Sequence, residues 1–132
     1  MLQYLLDTNI VVYTMKNRPA KVRDRFMLHD GRMAISSVTL GELVYGAERS
    51  SQPDRNLKDI ESLLSRIEVL QFDDVAAFHF CQLRADLYNR GLPIRPYDMM
   101  IAGHARSRGL ILVTNYVAEF ERVPGLRIEK WV

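Results

Sequence analysis

Short apolar runs alternate along the whole chain with longer stretches that carry apolar residues at helical spacing, and the transitions between them repeatedly fall on a polar residue. Runs of four or five apolar residues are the mark of strands buried on both faces, and helical stretches between them are the mark of crossovers. Leu2 to Leu6, Met33 to Ser36, Val69 to Phe72, Leu110 to Val113 and Ile128 to Trp131 are the predicted strands. Helices are predicted over 8–16, 19–28, 37–49, 55–66 (after a linker, 50–54), 74–90 and 98–108, with a short helical turn near Glu119. Asp73 caps the long fifth helix and Gly91 stops it, Gly109 ends the sixth, and Thr39 with Glu42 has the spacing of a capping box in the third. Strands that alternate with helices build a parallel sheet covered on both faces, joined by right-handed crossovers. In 132 residues this makes one α/β domain, 1–132, with a mainly parallel central sheet of four to five strands.

Parallel sheets bind ligands beyond the carboxyl ends of their strands. Three acids are expected at that rim: Asp7 in Leu5-Leu6-Asp7-Thr8-Asn9, Glu42 in Gly41-Glu42-Leu43, and Asp98 in Pro96-Tyr97-Asp98-Met99. Neither Asp7 nor Glu42 has a basic residue within six positions, and Arg95 is the one such neighbour of Asp98. Each acid alone is equally well explained as a helix cap. Together they are not, because two like charges about 4 Å apart repel by about 4 kcal/mol at an effective dielectric of about 20. A divalent cation relieves that repulsion, and an all-oxygen donor set suits Mg2+ or Mn2+. Such an ion polarises a phosphoryl oxygen and activates a bound water, the requirements of phosphodiester hydrolysis.

The remaining composition narrows the alternatives. Cys81 is the only cysteine, which excludes an internal disulfide and a thiolate zinc site; its place in an apolar helical pattern predicts a buried thiol. His29, His79 and His104 are too scattered for a histidine metal site. A net charge of +2 permits a polyanionic partner without requiring one. No apolar run reaches the roughly 20 residues of a membrane span, and no signal-like segment follows Met1, so a cytoplasmic protein is expected.

Four segments in order resemble the motifs of the PIN-domain ribonucleases, in particular the VapC toxins of bacterial toxin–antitoxin pairs. They are Leu5-Leu6-Asp7-Thr8-Asn9, Thr39-Leu40-Gly41-Glu42-Leu43-Val44-Tyr45-Gly46, Pro96-Tyr97-Asp98-Met99-Met100-Ile101-Ala102-Gly103-His104-Ala105, and Val113-Thr114-Asn115-Tyr116-Val117-Ala118-Glu119-Phe120. The resemblance covers essentially the whole chain and implies a PIN-like sheet and a Mg2+- or Mn2+-dependent endoribonuclease acting on structured RNA such as transfer RNA. It also implies a homodimer neutralised by a VapB-like antitoxin. Asp7, Glu42 and Asp98 carry over as metal ligands, and Thr8, Asn9, Thr114 and Asn115 as supporting residues. The fourth motif usually has Asp or Asn two positions after its Thr, where this chain has Tyr116. Glu119 then stands as the candidate fourth catalytic acid. Arg95, Lys16, Arg18 and Tyr116 are candidate RNA contacts, the cations for phosphates and the phenol for stacking on a base.

Three rival readings follow from the same residues. A phosphoacceptor receiver domain needs a paired acid after the first strand and a Lys after its last, and neither is present here. A DNA-directed nuclease of the same metal class is distinguished by substrate alone. A PIN scaffold that binds RNA or antitoxin without efficient cleavage is the reading in which Tyr116 disables the site.

Overall fold

The computed structural model describes residues 1–17 and 20–131, with nothing said of the Asn17 side chain. Five strands, β1 (Tyr4–Leu6), β2 (Met33–Ser36), β3 (Glu68–Leu70), β4 (Ile111–Val113) and β5 (Ile128–Glu129), form one sheet in the order β3-β2-β1-β4-β5. Every pairing is parallel. The helices are α1 (Thr8–Asn17), α2 (Ala20–Leu28), α3 (Ser37–Glu48), α4 (Pro53–Leu64), α5 (Asp74–Asn89), α6 (Pro96–Arg108) and α7 (Val117–Phe120). None is long and apolar enough to cross a membrane among the described residues.

Alternation along the strands divides the core in two. Leu5, Ala34 and Leu112 face one way and pack with Leu83, Leu87, Met99 and Ala102 of α5 and α6. Tyr4, Leu6, Met33, Ile35 and Val113 face the other way, onto Ile10, Val22, Leu43 and Ile60. The register places Leu5 beside both Ala34 and Leu112, so each layer is continuous across three strands. Trp131 closes the second layer against Tyr4 and stacks on His29 at 5.1 Å between ring centres. On the first layer α6 lies against α5 so closely that a Cβ on Gly103 would stand 2.6 Å from the Phe80 nitrogen. No side chain larger than hydrogen fits there.

Several local expectations change. The capping box does not form: α3 starts directly after β2, and Ser36 is its cap, its hydroxyl accepting from the Val38 N–H at 3.1 Å. That leaves Thr39 buried inside the helix and frees Glu42 for other partners. Helix α6 begins two residues before Asp98, with Pro96 in its first turn and Arg95 at the cap position, so Asp98 is inside the first turn rather than the cap. Helix α4 ends at Leu64 and β3 begins at Glu68, both slightly earlier than predicted. Cys81 is exposed, not buried. The inward line of α5 is Ala76, Leu83 and Leu87, and Cys81 lies off that face. Pro19, the predicted start of the second helix, lies outside the described residues.

Candidate active site

The chain builds outward from β1 in both directions, through β2 to β3 on one side and through β4 to β5 on the other. The gap between β1 and β4 at the carboxyl rim is therefore the point where the strand order reverses, the crevice such sheets use for ligands. Asp7 is the first residue past β1 and Thr114 the first past β4, and they meet there. The Asp7 N–H donates to the Val113 carbonyl at 3.0 Å, and the Thr114 hydroxyl donates to Asp7 Oδ2 at 2.5 Å. Asp7 Oδ1 accepts from the Ile10 N–H at 2.8 Å, so Asp7 does cap α1. Capping occupies one face of the carboxylate and does not exclude a second role.

Helix α6 leads into β4 and runs back along the sheet, which sets its N-terminal turn at the same rim. That turn delivers Asp98, which is buried like Asp7. Burial is the main reason that the Asp7 carboxyl is pushed from 3.8 up to about 6, and the charge of Asp98 adds to it. The hydrogen bonds from Thr114, Ile10 and Asn9 pull the other way. Burial also raises Asp98, with the Arg95 guanidinium opposing.

Glu42 comes from the second turn of α3. Its Oε1 accepts from the Thr8 hydroxyl at 2.6 Å, and that hydroxyl also lies 3.1 Å from Thr39 Oγ1. Arg95 spans the gap between the second and third acids, with Nε 3.2 Å from Asp98 Oδ2 and Nη2 3.8 Å from Glu42 Oε2. Along the chain Arg95 is a neighbour of Asp98 alone; in the fold this exposed arginine also reaches Glu42. Among the described residues, no three His, Cys, Asp or Glu side chains are grouped closely enough to hold an ion together. Asp7 and Asp98 are the two buried acids of the set, and Glu42 is paired with Arg95.

The donor chemistry fits a hard divalent cation. Asp7 and Asp98 are oxygen donors whose ionised forms are disfavoured by burial, the penalty that a bound dication removes. Beyond Thr114, Asn115 carries a buried Oδ1 with no hydrogen-bond partner, an orphaned oxygen at the same rim. Glu119, in the short α7, is half-buried and makes no ion pair or side-chain hydrogen bond with the other acids among the described residues. Tyr116 supplies its backbone, donating N–H to Thr114 Oγ1 at 3.0 Å and so orienting the hydroxyl that holds Asp7, while its phenol is exposed.

The candidate RNA contacts divide. Arg95 borders the acids, Lys16 is exposed at the end of α1, and Arg18 lies outside the described residues. The arginines around the third motif are engaged elsewhere: Arg90 with Asp86 and the Arg122 carbonyl, Arg106 with His79 and the Pro124 carbonyl. His104 is buried in the core, with Nδ1 2.8 Å from Ser36 Oγ.

The comparisons agree with this geometry. Residues 4–126 match the PIN domain model. The chain is similar to the tRNA(fMet)-specific endonuclease VapC of Shigella flexneri, 61% identical over 131 residues that cover 99% of both chains. It is 50% identical to ribonuclease VapC2 of Haemophilus influenzae over 132 residues, the full length of both. The toxin chain in the crystal structure of DNA-bound VapBC from Salmonella typhimurium superposes with a TM-score of 0.98 at 56% identity, covering all of both chains. The chain therefore belongs to the PIN-domain family, among its VapC ribonucleases.

Proposed function

We propose that this chain is the toxin of a toxin–antitoxin pair, an endoribonuclease that hydrolyses a phosphodiester bond in structured RNA with the help of Mg2+ or Mn2+. The observation that carries the proposal is the buried Asp7–Asp98 pair at the reversal of strand order. It is an arrangement that costs stability and has no structural use that one carboxylate would not serve. By likeness to the 61% relative, whose name specifies tRNA(fMet), the substrate is initiator transfer RNA.

Asp7 and Asp98 would hold the ion directly, with Glu42 joining them once Arg95 turns away. When bound, the ion supplies Lewis-acid polarisation of the scissile phosphate and an acidified water. The residues of the chain do the rest. Thr114 fixes the rotamer of Asp7 and stabilises its ionised form, and the N–H groups of Asn9 and Ile10 add to this. Thr8 holds Glu42 at the rim. Arg95, with its side chain 63% exposed, is free to swing from the acids onto the incoming phosphate, as a charge-assisted bidentate contact. Glu119 is the candidate fourth catalytic acid, with orientation of a water as its role. Lys16 adds a phosphate contact further out.

By the same likeness, a VapB-like antitoxin neutralises the chain, which works as a homodimer in the cytoplasm, where its RNA is found. Sequencing of RNA 5′ ends after brief expression, followed by cleavage of the identified RNA by purified protein, tests the proposal. New ends at one site, dependent on Mg2+ or Mn2+ and absent with Asp7→Asn, are expected. A fully active Asp7→Asn protein refutes the assignment.

Tyr116 motivates a second reading, a PIN scaffold that binds RNA or antitoxin without efficient cleavage. The observed use of its backbone rather than its phenol weighs against a disabling effect. A single-turnover assay with Mn2+ separates a slow enzyme from an inert one.

A further inference from the structure

A groove of about 880 Å3 opens directly beside the acids, lined by Glu42 and Arg95 on its inner side and by Tyr45 and Tyr97 further out. The volume is in the range of pockets that enclose a small organic ligand. Tyr45 and Tyr97 are 63% and 57% exposed, far more than phenol rings need for packing. They come from different helices, α3 and α6, the same two that carry Glu42 and Asp98. Gly41 lines the groove too, and a Cβ built on it meets nothing within 4 Å, so the space above it is open. Arg95 lines the groove at the acids, and Arg49 lies beside Tyr45, donating to its hydroxyl at 3.2 Å.

From this arrangement we infer that Tyr45 and Tyr97 form a stacking site for an unpaired RNA base next to the scissile phosphate. The inference rests on the nuclease reading above and names how the substrate is seated. An endonuclease that cuts structured RNA must hold a loop open, and unstacked bases are held on aromatic faces. Two exposed phenols with Arg95 and Arg49 beside them suit a base whose flanking phosphates reach the arginines. Tyr45 and Tyr97 are in this sense positioning residues: they order the strand on either side of the bond, and the acids act on it.

The test uses the full chain and a transfer RNA anticodon stem–loop with 2-aminopurine at loop positions. Binding in EDTA, where no cleavage proceeds, should quench the fluorophore at one or two positions by stacking. Tyr45→Ala and Tyr97→Ala should each abolish most of that quench and raise KM about tenfold, within the range of aromatic stacking on a base, with kcat changed less than threefold. Tyr45→Phe and Tyr97→Phe should restore both readouts. Gly41→Leu, which fills open space in the groove without touching either ring, should raise KM as well. Unchanged KM and quench in the alanine variants, with cleavage intact, overturns the stacking site and leaves the nuclease reading standing. So does a loss confined to binding of the VapB antitoxin of the Salmonella typhimurium complex, which would assign the groove to a protein partner. No cleavage of any RNA by the unaltered protein would remove both.

Discussion

Replacing Asp7 by Asn should stabilise the metal-free protein, and the size of the gain follows from the site. The carboxyl is buried at the strand-order reversal and its pKa is pushed from 3.8 to about 6. Between those values the folded chain holds a proton that the unfolded chain has released. Stability is therefore fully retained only below pH 3.8 and falls as pH rises, until the loss is complete somewhat above pH 6. A rise from 3.8 to about 6 corresponds to about 3 kcal/mol. Asparagine keeps the cap on the Ile10 N–H, since Asn and Asp cap equally well, and carries no charge to bury. In EDTA at pH 8, urea unfolding should therefore show Asp7→Asn about 3 kcal/mol more stable than the natural chain, and towards pH 4 the gap should close to less than about 1 kcal/mol. Added Mg2+ should reverse the order at pH 8 at about a thousand times Kd, because ligand binding to the folded state then stabilises the natural chain alone by about 4.1 kcal/mol. If Asp7→Asn is less stable than the natural chain in EDTA at pH 8, the carboxylate is a plain cap under no strain and the reasoning fails.

Other consequences are smaller in scope. Thr114→Val removes the hydroxyl that lowers the Asp7 pKa, so the acid limb of the pH–rate profile should move upward and cleavage near neutral pH should fall about tenfold, the size of the loss from one weakened supporting contact. Ser36→Ala deletes both the α3 cap and the partner of buried His104; a loss of about 2 kcal/mol in urea unfolding with kcat unaltered is expected. Gly103→Ala forces α6 away from the Phe80 backbone, and should cost about 1–3 kcal/mol by the same measurement although alanine is the better helix former. Glu119→Gln should slow cleavage but leave Mg2+ affinity within twofold by calorimetry, in contrast to Asp98→Asn, which should lose both.

The parts of this molecule that were legible in its sequence are those fixed by nearest neighbours along the chain. Met33–Ser36 is a strand with the predicted bounds, because three apolar residues and a serine between a glycine turn and a helix have no competing periodicity. Asp7 could be placed at the rim because it is the first residue after β1. Asp98 followed from the direction of the helix that feeds β4. What stayed hidden is what distant residues do to one another. Thr39 and Glu42 have capping-box spacing, but Ser36 takes the cap and Thr8, from 34 residues away, takes the Glu42 carboxylate. Arg95 is near Asp98 in sequence, yet its reach to Glu42 appears only when α3 and α6 lie side by side. Cys81 reads as apolar filling until the inward face of α5 is known, and that face depends on the close crossing at Gly103. The stacking site escapes local reading for the same reason, since Tyr45 and Tyr97 become neighbours of one groove only in the folded chain.

Anomalous diffraction from crystals soaked in Mn2+ bears most directly on whether these acids exist to hold an ion. A single strong peak between the carboxylates of Asp7 and Asp98, with the Arg95 side chain displaced from Glu42, is the expected outcome. Saturating Mn2+ that leaves the pair empty, with Arg95 still bridging Asp98 and Glu42, would contradict it.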